Sequence, residues 1–248
     1  MSDKISIVAI IPARYASSRF PGKPLVHING KTMIQCVYDQ VKSAPEIAEV
    51  IIATDDDRIE AEVLRFGGKV VRTKSEHPSG TDRCYEAYQQ LNKQFDFIIN
   101  VQGDEPFIQP EQICTLASIL TPDVELATLI KTIEDEETLL NPNTPKVLVN
   151  VKGEAIYFSR QTIPYLRQYP DKKDWLANHT FFKHIGMYAY RPDILAAITQ
   201  LKPSALELAE SLEQLRWLEN GYKIHTAVTT IETVGIDTPE DLLRVTSR

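Results

Sequence analysis

Apolar residues in the first half of the chain fall in short unbroken runs, and each run ends at a polar or charged cluster. Ile5-Ser6-Ile7-Val8-Ala9-Ile10-Ile11, Val50-Ile51-Ile52-Ala53-Thr54 and Phe97-Ile98-Ile99-Asn100-Val101 lack strict alternation. That pattern predicts strands covered on both faces. Residues 69–73 make a shorter strand of the same kind. Between the runs the spacing changes to that of helices. Ile34, Val37, Tyr38 and Val41 mark one; Ile59, Val63 and Leu64 a second, stopped by Gly67-Gly68; Cys84, Ala87, Tyr88 and Leu91 a third, capped by Thr81 or Asp82.

Strand–helix alternation of this kind predicts an α/β fold, a three-layer α/β/α arrangement around a mostly parallel sheet. The second half is less regular. Lys152-Gly153-Glu154 between two apolar stretches predicts a hairpin, and residues 164–178 read as a long loop. His184 to Tyr190 and residues 223–228 read as strands. Ser204 is placed to cap one long helix carrying Leu208, Leu212, Leu215 and Trp217-Leu218, ended by Gly221. The organisation expected is one domain over residues 1–248, with a smaller lobe at roughly 141–215.

Composition narrows the class. The 248 residues carry a formal net charge of -7, which argues against a general nucleic-acid binder. Three cysteines, Cys36, Cys84 and Cys114, form no CxxC pair and suggest neither a zinc ribbon nor a disulfide framework. No apolar run is long enough to span a membrane, so a cytoplasmic protein without a membrane partner is expected.

Three charged clusters follow strands or sit near the C-terminus, and ligands of open α/β sheets gather at strand carboxyl ends. Against the acidic background, Pro12-Ala13-Arg14-Tyr15-Ala16-Ser17-Ser18-Arg19-Phe20-Pro21-Gly22-Lys23 is a basic loop. Arg14, Arg19 and Lys23 suit phosphate oxygens, although a solvated surface loop would look similar. GxxxxGK[ST] and GxGxxG are both absent. Asp104, in Asn100-Val101-Gln102-Gly103-Asp104-Glu105-Pro106, follows a strand and a glycine. Asp237, in Gly235-Ile236-Asp237-Thr238-Pro239-Glu240-Asp241, is a second carboxylate of the type that holds Mg²⁺. Asp237 equally suits a helix cap. Ser79-Gly80-Thr81-Asp82-Arg83 reads as a helix start or as a wall over a nucleotide.

Taken in order, these segments resemble the sugar nucleotidyltransferases. Tyr157-Phe158-Ser159-Arg160, Lys183-His184-Ile185-Gly186-Met187-Tyr188 and Leu212-Glu213-Gln214-Leu215-Arg216 narrow the resemblance to cytidylyltransferases that activate the acid sugar Kdo. It spans nearly the whole chain. It implies a nucleotide-diphospho-sugar transferase-like fold and a homodimer. The implied reaction joins CMP from CTP to the sugar acid, with Mg²⁺ as cofactor, and supplies lipopolysaccharide assembly. By the same resemblance Arg14, Arg19 and Lys23 hold the triphosphate, with Ala13, Ser79, Gly80 and Gln102 around the nucleotide. Asp104 and Asp237 bind the metal. Gln102, Arg160, His184, Tyr188, Glu213 and Gln214 line the sugar pocket, and the lobe at 141–215 serves sugar binding and dimerisation. Ser204-Ala205-Leu206-Glu207-Leu208 departs from the family pattern near the sugar end, which leaves 8-amino-Kdo or sialic acid as alternative acceptors. A CTP-sensing module without turnover is the non-enzyme alternative.

Overall fold

The computed structural model describes residues 5–16, 20–232, 235–236 and 238–246. The elements run β1 (Ile7–Ala13), β2 (His27–Ile28), β3 (Lys31–Thr32), α1 (Met33–Lys42), β4 (Ile47–Thr54), α2 (Asp57–Arg65), β5 (Val70–Arg72), α3 (Gly80–Gln89), β6 (Phe97–Asn100) and α4 (Pro110–Ala117). There follow β7 (Leu126–Thr132), α5 (Glu136–Leu140), β8 (Lys146–Val149), β9 (Ala155–Ser159), α6 (Trp175–Asn178), β10 (Phe182–Tyr190), α7 (Pro192–Ile198), α8 (Ala205–Glu210), α9 (Gln214–Glu219), β11 (Ile224–Val228) and α10 (Pro239–Thr246).

One sheet in the order β11-β7-β10-β6-β1-β4-β5 forms the centre, and β8 and β9 extend it from the start of β10. Every pair on the main path is parallel except those made by β10, which runs against β6 and β7. The expected mostly parallel sheet between helical layers is the fold observed.

Alternation along β1 explains the layers. Ile7, Ala9 and Ile11 pack on one side with Ile34, Val37 and Val41 of α1 and with Ile113 and Leu116 of α4. Val8 and Ile10 pack on the other with Cys84 and Ala87 of α3, Leu195 of α7, and Leu215 and Trp217 of α9. Each fully buried side chain of this size contributes about 1.5–3 kcal/mol, so β1 serves two cores at once.

Four sequence expectations need correction. Ser79, not Thr81 or Asp82, caps α3, accepting from the Asp82 N–H. The long helix after Ser204 is two short ones. Ser204 stands at the start of the helix as expected, its N–H donating to Glu207 Oε2 at 3.0 Å, but α8 stops at Ser211, whose φ of 52° is left-handed. Leu208, placed on the apolar side by spacing, is 69% exposed. Residues 164–178 are not all loop, since they end in α6, whose Trp175 is buried against Phe181. The position before α10 is filled by Thr238, which exchanges hydrogen bonds with Asp241, so the capping role considered for Asp237 belongs to its neighbour. Asp237 and Arg19 lie outside the described residues.

Candidate active site

The carboxyl ends of β1 and β6 meet the start of α3 at close range. A Cβ added to Gly103 would stand 2.9 Å from the Pro12 carbonyl oxygen, and one added to Gly80 would stand 3.3 Å from Pro12 Cγ. Both glycines therefore let three backbone segments crowd together. Ala13, the last residue of β1, is buried there and pairs with Thr54.

The basic loop folds back on this edge. Gly22 takes a φ of 73° and its N–H donates to the Tyr15 carbonyl at 2.9 Å. The Tyr15 ring lies against Gly22 and carries the Arg58 guanidinium of α2 on its face. The turn delivers Lys23, which is buried, to Asp104 at 2.7 Å. Arg14 is half-buried and close enough to the Arg83 guanidinium to oppose its charge. Burial, first of all, lowers the Arg83 pKa, while Asp55 at 2.9 Å raises it.

Asp104 is 35% exposed at its side chain, and among the described residues its other oxygen accepts no hydrogen bond. The C-terminal segment reaches the same point, because the Ile236 N–H donates to the Asp104 carbonyl at 3.0 Å. A half-exposed carboxylate with an open oxygen, fixed beside a glycine turn, fits a hard divalent cation. No group of three or more potential metal-ligating side chains occurs among the described residues.

A second half of the site is built on β10. Two residues bulge from it, since Ile185 pairs with Leu129 but Tyr188 with Thr128. Bulges re-aim side chains, and this one brings the His184 and Tyr188 rings to 5.1 Å. Thr128 Oγ1 donates to the Met187 carbonyl at 2.8 Å, so it accepts from His184 Nε2 at 2.9 Å. Burial pushes His184 down to about 3, which keeps it neutral at physiological pH. It is a hydrogen-bonding group here and not a cation.

The chain breaks at Ser211, and Glu213 and Gln214 follow at the start of α9. The Thr81 hydroxyl donates to Glu213 Oε2 at 3.0 Å, joining the α3 loop to the start of α9. Burial raises the Glu213 pKa, and hydrogen bonds from Thr81 and Ser79 oppose that shift. Gln214 Nε2 and the Tyr188 hydroxyl are buried and make no hydrogen bond among the described residues. Gln102 is half-exposed, two residues beyond the end of β6. Arg160 stands apart from this cluster. Its guanidinium donates to the carbonyls of Glu210, Pro142 and Ser211 at 2.6, 3.1 and 3.2 Å, which braces the break ahead of Glu213.

Spacing gave no sign of the Thr81–Glu213 contact or of Thr128. Strand β7, which supplies Thr128, carries the buried Lys131 just before its last residue, Thr132, which cuts short an otherwise readable apolar run.

Residues 8–224 match the model of the cytidylyltransferase family. The chain belongs to that family. It is 89% identical over 246 residues to the 3-deoxy-manno-octulosonate cytidylyltransferase of Cytophaga hutchinsonii, covering 99% of this chain and 98% of that one. The enzyme of the same name from Parabacteroides distasonis is 58% identical, with 96% of each covered. Among solved structures, a CMP:2-keto-3-deoxy-manno-octonic acid synthetase complexed with CTP superposes with a TM-score of 0.90 at 44% identity, covering 98% of this chain and 97% of that one. A 4-diphosphocytidyl-2C-methyl-D-erythritol synthase from Anaerococcus prevotii shares the fold, with a TM-score of 0.63 at 16% identity over 99% of this chain and 96% of that one.

One substitution tests whether Arg160 serves the sugar half. Arg160→Lys keeps the charge, but its donors sit on one atom and cannot span the three carbonyls that the planar guanidinium reaches from three different nitrogens. It is expected to raise the KM for the sugar acid about tenfold, because the inward set of Glu213 and Gln214 loosens, and to leave the KM for CTP within about twofold. Steady-state kinetics with each substrate varied in turn would decide it. An equal rise in both constants would remove Arg160 from the sugar half.

Proposed function

We propose that this cytidylyltransferase transfers CMP from CTP to 3-deoxy-manno-octulosonate and releases pyrophosphate. The observation that carries the reading is the join between two halves of one edge. The segment around Ser79, Gly80 and Pro12 meets Glu213 directly through Thr81, and Tyr188 and Gln214 add buried polar atoms that have no partner among the described residues. Unpaired buried polar groups call for a polar guest, and a polyhydroxylated acid sugar supplies one. The name of the 89% identical relative and the CTP complex of the 44% identical one support the same pair of substrates.

In this reading the anomeric oxygen of the sugar attacks the α-phosphorus in line. A new P–O bond forms, the bond to the β-phosphate oxygen breaks with its electrons, and the hydroxyl proton is lost to solvent. Such transfer depends on positioning and on charge neutralisation. Lys23 releases Asp104 and turns to the phosphates, with Arg14 and Arg19 as fork-shaped donors. Asp104 and Asp237 would hold Mg²⁺, which when bound supplies positive charge at the reacting phosphate. Gln102, Tyr188, Glu213, Gln214 and neutral His184 orient the sugar, and Arg160 braces them.

We further read the protein as a homodimer. Val151, Ile156 and Val228 are exposed around the β8–β9 hairpin and the adjoining β11, where β9 pairs with β8 alone. An apolar free sheet edge favours a partner. Among the described residues no helix is long and apolar enough to cross a membrane.

Pyrophosphate release with CTP and Mg²⁺, run in parallel on Kdo, 8-amino-Kdo and sialic acid, tests the function. Release is expected with Kdo. Release with 8-amino-Kdo or sialic acid alone would reassign the acceptor, and CTP binding without release on any of them would favour a sensing module.

A further inference from the structure

Three consecutive acids, Asp55-Asp56-Asp57, follow β4. Ala13 and Thr54, the last residues of β1 and β4, are paired, so the acids start level with the basic loop. Each carboxylate faces an arginine. Asp55 meets Arg83 at 2.9 Å, Asp56 meets Arg58 at 2.7 Å and Asp57 meets Arg72 at 2.9 Å. The Asp57 side chain is 91% exposed, where an ion pair adds little. Asp55 tethers α3 through a buried guanidinium. The Asp56–Arg58 pair leads somewhere else.

Asp56 both caps α2 and clamps its arginine. Its Oδ1 accepts from the Arg58 N–H at 2.9 Å and from Arg58 Nε at 3.0 Å, while Oδ2 accepts from Nη2 at 2.7 Å. Pairing at two points fixes the plane of a guanidinium as well as its place. The side-chain bonds from Arg58, first of all, hold the Asp56 carboxyl below the usual carboxylate range, so the clamp stays charged at neutral pH. An arginine on a surface helix ordinarily turns to water. This one is 57% exposed, yet its guanidinium is held 3.2 Å from the centre of the Tyr15 ring.

Tyr15 belongs to the basic loop and holds Gly22 in two ways. Its carbonyl accepts the Gly22 N–H, and its ring lies 3.1 Å from where a Gly22 Cβ would stand. Gly22, at a φ of 73°, makes the turn that presents Lys23. At the other side of the turn Phe20 packs with Ile28 and Met33. A Tyr15 ring free to swing removes the packing half of the hold on Gly22, and the Arg58 guanidinium is what keeps it from swinging.

We propose that Arg58 is a positioning residue for CTP: clamped by Asp56 and stacked on Tyr15, it sets the turn at Gly22, and hence the place of Lys23, without touching the nucleotide. This rests on the reading in which the basic loop holds the triphosphate. A loop shaped in advance spares CTP part of the ordering cost of binding, and it keeps the cation where the reacting phosphate needs it.

A set of substitutions read by steady-state kinetics tests this. Arg58→Ala is expected to raise the KM for CTP about fivefold, the size of one lost cation–ring contact. The KM for Kdo should stay within about twofold and the thermal melt within about 3 °C, because the side chain is largely solvated. Tyr15→Leu should match Arg58→Ala, whereas Tyr15→Phe, which keeps the ring, should stay within about twofold of the parent. The Arg58→Ala, Tyr15→Leu double variant should be no worse than either single one, since both remove the same stack. Losses that multiply in the double variant would overturn the proposal. Asp56→Asn keeps an acceptor for the cap but weakens the clamp, so the KM for CTP should rise about twofold to threefold. A fall would show that a freed Arg58 grips phosphate itself, and would overturn the proposal too. Lys23→Ala separates the two readings: it should raise the KM for CTP about tenfold or more. An unchanged KM there would remove the loop from triphosphate binding and the Arg58 role with it. An unchanged KM in Arg58→Ala beside an impaired Lys23→Ala would overturn the Arg58 role alone. Should Tyr15→Leu not fold, Arg58→Ala and Asp56→Asn, both at the surface end of α2, still decide the matter.

Discussion

Asp104→Asn lowers turnover about a thousandfold and leaves the fold intact; that is the largest effect expected from a single atom pair in this protein. The change keeps shape and removes one negative charge. A barrier increase of about 4 kcal/mol corresponds to that loss and is within what a metal-held charge supplies in phosphoryl transfer. Asp104 is partly exposed and paired with Lys23 at 2.7 Å, so the fold loses one charge-assisted contact, worth about 1–3 kcal/mol. Turnover at saturating CTP, Kdo and Mg²⁺, beside a thermal melt, checks both halves. Near-parental turnover in the folded variant would remove Asp104 from the reaction. A collapse of the melt would show that its partnership with Lys23 is chiefly structural.

Gly103→Ala is expected to disturb activity by geometry alone. The added methyl would stand 2.9 Å from the Pro12 carbonyl oxygen and 3.6 Å from both Ile11 Cγ2 and Ile34 Cδ1. The nearest of these is backbone at the end of the central strand, so it cannot rotate aside. Relief requires β1 and the β6 turn to part by several tenths of an ångström, at a cost of about 1–3 kcal/mol in stability. Asp104 moves with that turn while Lys23 stays with the β1 loop. A misplacement of this kind lowers turnover about tenfold to a hundredfold. Kinetics on the variant at a temperature well below its melt would show it; unaltered turnover would mean that the turn tolerates separation.

Much of this edge was readable before any coordinates. The runs in β1, β4 and β6 are apolar at every core position, and each stops at a glycine, proline or acid, so the strands and the placement of Lys23 and Asp104 follow from local pattern. Where the pattern failed, the cause was distance along the chain or a single backbone angle. Thr81 and Glu213 are 132 positions apart, and no spacing rule spans that. Ser211 adopts its left-handed turn without a glycine to announce it, so a helical period running from Leu208 to Leu218 concealed two helices. Arg160 was readable as a free guanidinium because its three carbonyl partners belong to backbone, which carries no sequence signal.

Lys23 and Asp104 neutralise one another before any substrate arrives, so neither presents an uncompensated charge to the solvent. A nucleotide that draws Lys23 away opens the Asp104 carboxylate, and a cation that takes Asp104 loosens the hold on Lys23. Each ligand creates the opening that the other fills, and linkage requires the two gains to be equal. In the proposed reading, whatever factor Mg²⁺ adds to the grip on CTP, CTP adds to the grip on Mg²⁺. The protein would then ignore either one alone at concentrations where it holds the two together.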